Sequence, residues 1–138
     1  MKEIKGVQVF ETLEEVVDPK HTALLVIDVQ NDNASPKGFM ASMGADISWI
    51  TKIISPIKTV LQKTRQLGLL TIFIRIVFTR DGTYQSGPRL RMYNKNPLGR
   101  DASDWIKMNI EGTWGSEVFE GLVTCPHWRY HLLSSYYS

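Results

Sequence analysis

One carboxylate stands out in the stretch TALLVIDVQNDN, Thr22 to Asn33. Asp28 follows five consecutive apolar residues, Ala23 to Ile27, and a sixth, Val29, comes directly after it. Apolar neighbours desolvate an acid and raise its pKa unless a cation lies near. An acid placed this way can take a proton from a nucleophile or hand one to a substrate. The same position also suits a loop cap, in which Asp28 accepts backbone N–H bonds from Gln30 or Asn31. Both readings are open on position alone.

Several chemistries that place an acid at a strand end fail on the neighbouring residues. Phosphotransfer of the haloacid dehalogenase kind needs a second acid two positions on, and that residue is Gln30. Dinucleotide and P-loop sites need a glycine-rich turn directly after the strand, and DVQNDN has none. In the C-terminal region, Cys125, His127 and His131 give Cys-x-His-x3-His. Zinc sites usually take four ligands with supporting contacts, so a tail that binds no metal is the default. Arg75 interrupts an apolar run and is expected at a strand end on the surface, with a carboxylate near the pocket as its other option. Arg80, Arg89, Arg91, Lys95 and Arg100 flank a long polar loop. They could attract an anionic substrate, and a solvated loop face explains them equally well.

The elements that must hold these residues follow from pattern. TALLVIDV is short, continuous and apolar, which predicts a strand buried on both faces. The loop NDNASPKGFMASMGAD follows. In ISWITKIISPIKTVLQKTRQLG the apolar residues Ile47, Ile50, Ile54, Ile57 and Leu61 are spaced 3, 4, 3 and 4, one face of a helix. Asp46 can cap it, and Gly68 can stop it. Pro56 predicts a kink or a restart with Ser55 as a second cap. LLTIFIRIVF reads as a second buried strand. Strand, helix, strand implies an α/β fold with a parallel sheet and helices on its faces. Ligands in such folds bind beyond the carboxyl ends of the strands, where Asp28 falls. DASDWIKMNI suggests a short helix, and GTWGSEVFEGL a turn and then a short helix capped by Ser116 with Glu117 in its first turn.

Composition bounds the function. The 138 residues are 43% hydrophobic and 22% charged, as in a globular domain. A net charge of +2 with scattered cations argues against nucleic acid or a membrane surface. A single cysteine allows no disulfide within the chain and makes a reducing, cytoplasmic setting the expectation. The N-terminal residues have no apolar run of the kind a secretory signal carries. Residues 1–21 are expected as an N-terminal surface arm with a short strand near Val7 to Phe10, and 22–122 as the domain proper. The segment 123–138 diverges: after Glu120 there is no Asp, Glu or Lys, and no strand-and-helix rhythm continues.

TALLVIDVQND, then a loop, a long helix, LGLLTIFIRIVF and EGTWGSEVFEGL, taken in that order, resemble the isochorismatase-like cysteine hydrolases. The spacing and the GTWG form are most similar to the branch that cleaves ureido or carbamoyl amides, such as ureidoacrylate and biuret hydrolases. The resemblance implies a three-layer αβα, Rossmann-like fold with a parallel sheet, of which the C-terminal part is missing. It implies a small amide or ureido substrate, no cofactor, and oligomers or association with full-length subunits.

It also implies a triad of Asp, Lys and Cys. The acid takes the thiol proton, the thiolate attacks an amide carbonyl, and backbone N–H groups hold the oxyanion. Asp28 matches the aspartate. Gln30 and Asn31 match the motif that shapes the pocket floor, and Trp114 of GTWG is a candidate substrate contact, with packing or a subunit contact as its other roles. If Arg129-Tyr130 is the pair that follows the family's lysine, His127 stands at the lysine position. Cys125 lies before that point and does not match the nucleophile. The aromatic residue that commonly follows the aspartate by five positions is here Asn33. The break after Glu120 suggests a truncated, alternatively spliced or frame-shifted end. That leaves three readings: an incomplete, weakly active or inactive amide hydrolase; a non-catalytic fragment that binds full-length subunits; or a vinyl-ether hydrolase of the isochorismatase type. Loss of the remaining strands is expected to expose the edge of LLTIFIRIVF.

Overall fold

The computed structural model describes residues 1–81, 88, 91 and 107–122, and the backbone of 130–135. The arm begins with an antiparallel hairpin, β1 (Lys2–Ile4) and β2 (Val7–Val9). Lys5 and Gly6 form its turn with φ of 51° and 79°. Two left-handed residues match the twist of the flanking strands. Helix α1 (Leu13–Val16) follows, with Thr12 Oγ1 accepting the Glu15 N–H at 3.2 Å. The N-terminal ammonium contacts the Glu15 carboxylate, and the rings of Phe10 and His21 stack at 4.6 Å. The arm thus folds on itself and stays largely exposed.

Strand β3 (Ala23–Ile27) pairs in parallel with β4 (Leu70–Ile76), Ala23 opposite Leu70 and Ile27 opposite Ile74. Residues in register share a face. On one face Val26, Thr71 and Phe73 are buried, packed with Ile54 and Leu61 of the helix that joins the strands. The opposite face is open on β3, where Leu25 is 50% and Ile27 55% exposed. The expectation of a first strand buried on both faces is therefore corrected: its apolar run is covered on one side only among the described residues.

The connecting segment holds α2 (Asn31–Ala34), α3 (Phe39–Ser42) and α4 (Ser48–Gln66). Asp46 Oδ1 accepts the Ser48 N–H at 2.9 Å, but the N-cap itself is Ile47, so Asp46 acts from one position outside the helix and not as the expected cap. Ile54 and Leu61 are buried and Ile50 and Ile57 half-buried, as their spacing requires. Helix α4 runs unbroken through Pro56, so neither a restart nor a Ser55 cap is found. Pro56 and Lys52, whose carbonyl loses its partner, both lie on the exposed side, where water can substitute for the lost bond. Gly68 adopts φ 70°, and Leu69 N–H reaches back to the Thr64 carbonyl at 2.9 Å, closing the helix.

Two further expectations are corrected at the C-terminal side. The segment after Glu120 was expected to hold no further strand, yet β5 (Tyr130–Ser135) pairs in parallel with β4, Thr71 opposite Tyr130. The order is β3-β4-β5, so among the described residues β3 and β5 are the edge strands and LLTIFIRIVF lies between them. GTWGSEVFEGL forms a 3₁₀ turn, Trp114–Ser116, and then extends, with Val118 bridging Gln30. Ser116 ends that turn by donating to the Thr113 carbonyl at 2.9 Å; it caps no helix. The expected helix in DASDWIKMNI falls mostly outside the described residues; its last four residues form a turn and a bridge.

Candidate functional site

The site forms where β3 ends. Asp28 N–H donates to the Ile74 carbonyl at 2.9 Å, one step past the last strand residue. Its φ of 57° then turns the chain out of the sheet. A left-handed conformation is uncommon for a side chain with a Cβ, and Asp tolerates it better than most. The turn is tied by Asn33, whose Nδ2 donates to the Asp28 carbonyl at 2.9 Å. The Asn31 N–H bonds the Glu117 carbonyl at 3.0 Å, so of the two donors expected for a loop cap that one is turned elsewhere.

The Asp28 carboxylate opens on a cavity of about 350 Å³, lined by Ile27, Asp28, Val29, Asn33, Met40, Trp49, Ile50, Ile53 and Met108. Partial burial among these groups raises its pKa above the ordinary 3.8, and the Ile76 backbone N–H offsets part of that rise. A raised carboxyl pKa means that the folded chain holds the proton more tightly than the unfolded one. Ionising Asp28 therefore costs stability, a cost absent below about 3.8 and complete once pH has passed the raised value. We expect Asp28→Asn to melt slightly higher than the unaltered chain at neutral pH, with the gap closing on acidification. Thermal melts at a series of pH values check this; a gap that widens in acid contradicts it.

The three residues after Val29 are turned to other partners and tie the chain to distant segments. Gln30 is fully buried. Its Nε2 donates to the carbonyls of Ile76 (2.8 Å) and Ser116 (2.9 Å), and its Oε1 accepts the Ile76 N–H (3.0 Å). Asn31 donates to the Trp114 carbonyl at 2.8 Å and accepts the Glu120 N–H at 2.9 Å. Asp32 accepts the N–H groups of Phe39 (3.1 Å) and Asn109 (2.7 Å). Gln30 and Asn31 thus use their amides on backbone groups, and neither lines the cavity. Trp114 sits apart from the cavity lining; its ring is 43% exposed and its Nε1 donates to Glu120 at 3.3 Å.

Arg75 was expected at the surface and is mostly buried instead. It pairs with Glu117 at 2.7 Å and donates to the Ser116 carbonyl at 3.0 Å, bracing β4 against the 114–118 segment. Arg80 and Arg91 are exposed; Arg89, Lys95 and Arg100 lie outside the described residues. Cys125 and His127 lie outside them too, and of His131 only the backbone is described, opposite Ile72. Among the described residues no group of three or more His, Cys, Asp or Glu side chains is placed to hold an ion. Nor is any helix there long and apolar enough to cross a membrane.

The sequence reading missed Asp32 and the cavity wall. Trp49 and Ile53 lie four residues apart beside the main apolar stripe of α4, and that spacing was the available signal. Asp32 looked like one more polar loop residue.

Comparison with known proteins completes the description. The family model described as the isochorismatase domain matches residues 22–130. The ureidoacrylate amidohydrolase of Caulobacter segnis is 48% identical over 119 residues, covering 85% of this chain and 45% of that protein. Its counterpart in Caulobacter vibrioides is 34% identical over the same length, covering 48% of that protein. Among solved structures, a cysteine hydrolase from Pseudomonas syringae superposes with a TM-score of 0.59 at 23% identity, over 85% of this chain and 47% of its own. An isochorismatase family protein from Desulfovibrio vulgaris gives 0.54 at 23%, over 82% of this chain and 51% of its own. The chain spans about half the length of the relatives it matches.

Proposed function

Because the chain belongs to the isochorismatase family, we propose that the Asp28 cavity is the proton-accepting part of a site that cleaves a C–N bond in a small amide or ureido compound. The observation that carries this reading is the Asp28 carboxylate at the end of β3, opening on a cavity whose other described walls are mostly apolar, beside a turn that Gln30, Asn31 and Asp32 anchor. The likeness to ureidoacrylate amidohydrolases supports the amide branch over the vinyl-ether one. In the mechanism that the family implies, Asp28 accepts a thiol proton, the thiolate adds to the carbonyl, and the amine leaves before water releases the acid. Gln30 and Asn31 act by fixing the chain that follows Asp28 against the 114–120 segment, and Trp114, outside the cavity lining, takes no part in binding in this reading. The lysine and cysteine of that mechanism have no match in this sequence, so the chain alone is a weak or inactive form. The test is ammonia release from a panel of small amides and ureido compounds, run beside isochorismate. Cleavage of isochorismate with every amide untouched would overturn the amide reading.

A second reading, association with another subunit, rests on the free edge of β3. Asp28 N–H points to β4. By alternation the N–H and C=O groups of Ala23, Leu25 and Ile27 point to the opposite edge, which pairs with no described strand. The edge carries no charge or proline to deter pairing. Beside it runs an apolar groove of about 390 Å³, with Ile53, Ile57 and Val60 of α4 on its far wall. Replacing Leu25 and Ile27 together with Lys is expected to abolish association with a full-length relative or with a second copy. Light scattering after gel filtration reads this; unchanged assembly in the double variant removes this edge as the interface.

A further inference from the structure

The amide reading leaves open which amides the cavity favours, and the lining answers that. Among its described residues Asp28 alone carries a charge. The Asn33 amide is engaged, with Nδ2 on the Asp28 carbonyl and Oδ1 facing Asn109 Nδ2 at 3.5 Å. Met40, Trp49, Ile53 and Met108 make the remaining wall apolar. Trp49 and Ile53 lie one helical turn apart on α4 and are 61% and 42% exposed, so they project over the cavity without holding the core.

Such a site wants a ligand with N–H donors at one end and an apolar body at the other. A urea or acetamide fills the polar end and leaves the wall wet. We propose that the cavity selects primary amides carrying an aliphatic group of about five carbons, and that Trp49 is the residue that sets this preference. The inference rests on the amide reading above. Its physical basis is removal of the tail from water, worth about fourfold in affinity per fully buried methylene. A half-open wall recovers only part of that, so four added methylenes are expected to give about tenfold.

The experiment is an NMR titration of the chain with acetamide and with hexanamide. Hexanamide should bind about tenfold tighter. Trp49→Ala should bring hexanamide down to the level of acetamide and leave acetamide unchanged, whereas Trp49→Phe should keep the preference. Ile53→Ser, on the same wall, should weaken hexanamide alone, and near-UV circular dichroism verifies folding of each variant. Equal affinity for the two amides, or a Trp49→Ala chain that keeps the preference, overturns this inference and leaves the amide reading standing. Binding of neither amide overturns both.

Discussion

An Asp28→Asn chain should lose amide hydrolysis by about a hundredfold or more while folding normally, with ammonia release compared at neutral pH. The substitution is chosen for what it leaves alone. Asn has nearly the same shape and is among the few residues that accept a left-handed backbone, so the turn at φ 57° and the Asn33 tie to the residue 28 carbonyl should persist. What disappears is the ability to take a proton. Any activity, however weak in the unaltered chain, must pass through that step if Asp28 is the base. Hydrolysis that survives the substitution at comparable rate removes Asp28 from the chemistry and the proposed function with it. Asp28→Ala would be a poorer choice, because it also forces a residue that disfavours positive φ into the turn.

Gly38→Ala is expected to cost about 3 kcal/mol, the upper part of the range for overpacking a close contact. Gly38 is buried at the start of α3 with an ordinary negative φ, so backbone strain is not the issue. Space is the issue. A Cβ there would overlap the Asn31 carbonyl oxygen and lie 2.9 Å from both Cα and the carbonyl oxygen of Asp32. These are backbone atoms of α2, and they cannot rotate aside as a side chain would. Relief requires moving Asn31 and Asp32, which are bonded to residues 109, 114 and 120. The loss should therefore appear as a lower midpoint in urea, together with weaker packing of the 109–120 segment. An alanine variant as stable as the parent would mean that this close approach does not exist in solution.

Much of this was legible in the chain. The parallel β3-α4-β4 unit followed from two apolar runs and a 3.6-residue period, because those patterns reflect burial directly. The position of Asp28 at a strand end followed too, and so did the stop at Gly68, where a positive φ is needed. Pro56 misled because its penalty depends on whether water reaches the freed carbonyl, a tertiary fact. β5 was missed because composition alone gives no account of which neighbour a strand finds. Arg75 was misread since an arginine's burial depends on its partner, Glu117, forty-two positions away. The roles of Gln30 and Asp32 lay in backbone groups far along the chain, which no local pattern encodes.

The hydrogen bonds of Gln30, Asn31 and Asp32 have a kinetic consequence. Those to the 109–120 segment join residues 77 to 89 positions apart. The entropy of closing such long loops is spent before any of those bonds forms. The first eighty residues can zip the β3-α4-β4 unit from nearby contacts, but the partners of Gln30, Asn31 and Asp32 wait on the arrival of 109–120. During synthesis, Asp28 would be laid down early and would acquire its surroundings late, when the distant segment closes over Gln30, Asn31 and Asp32.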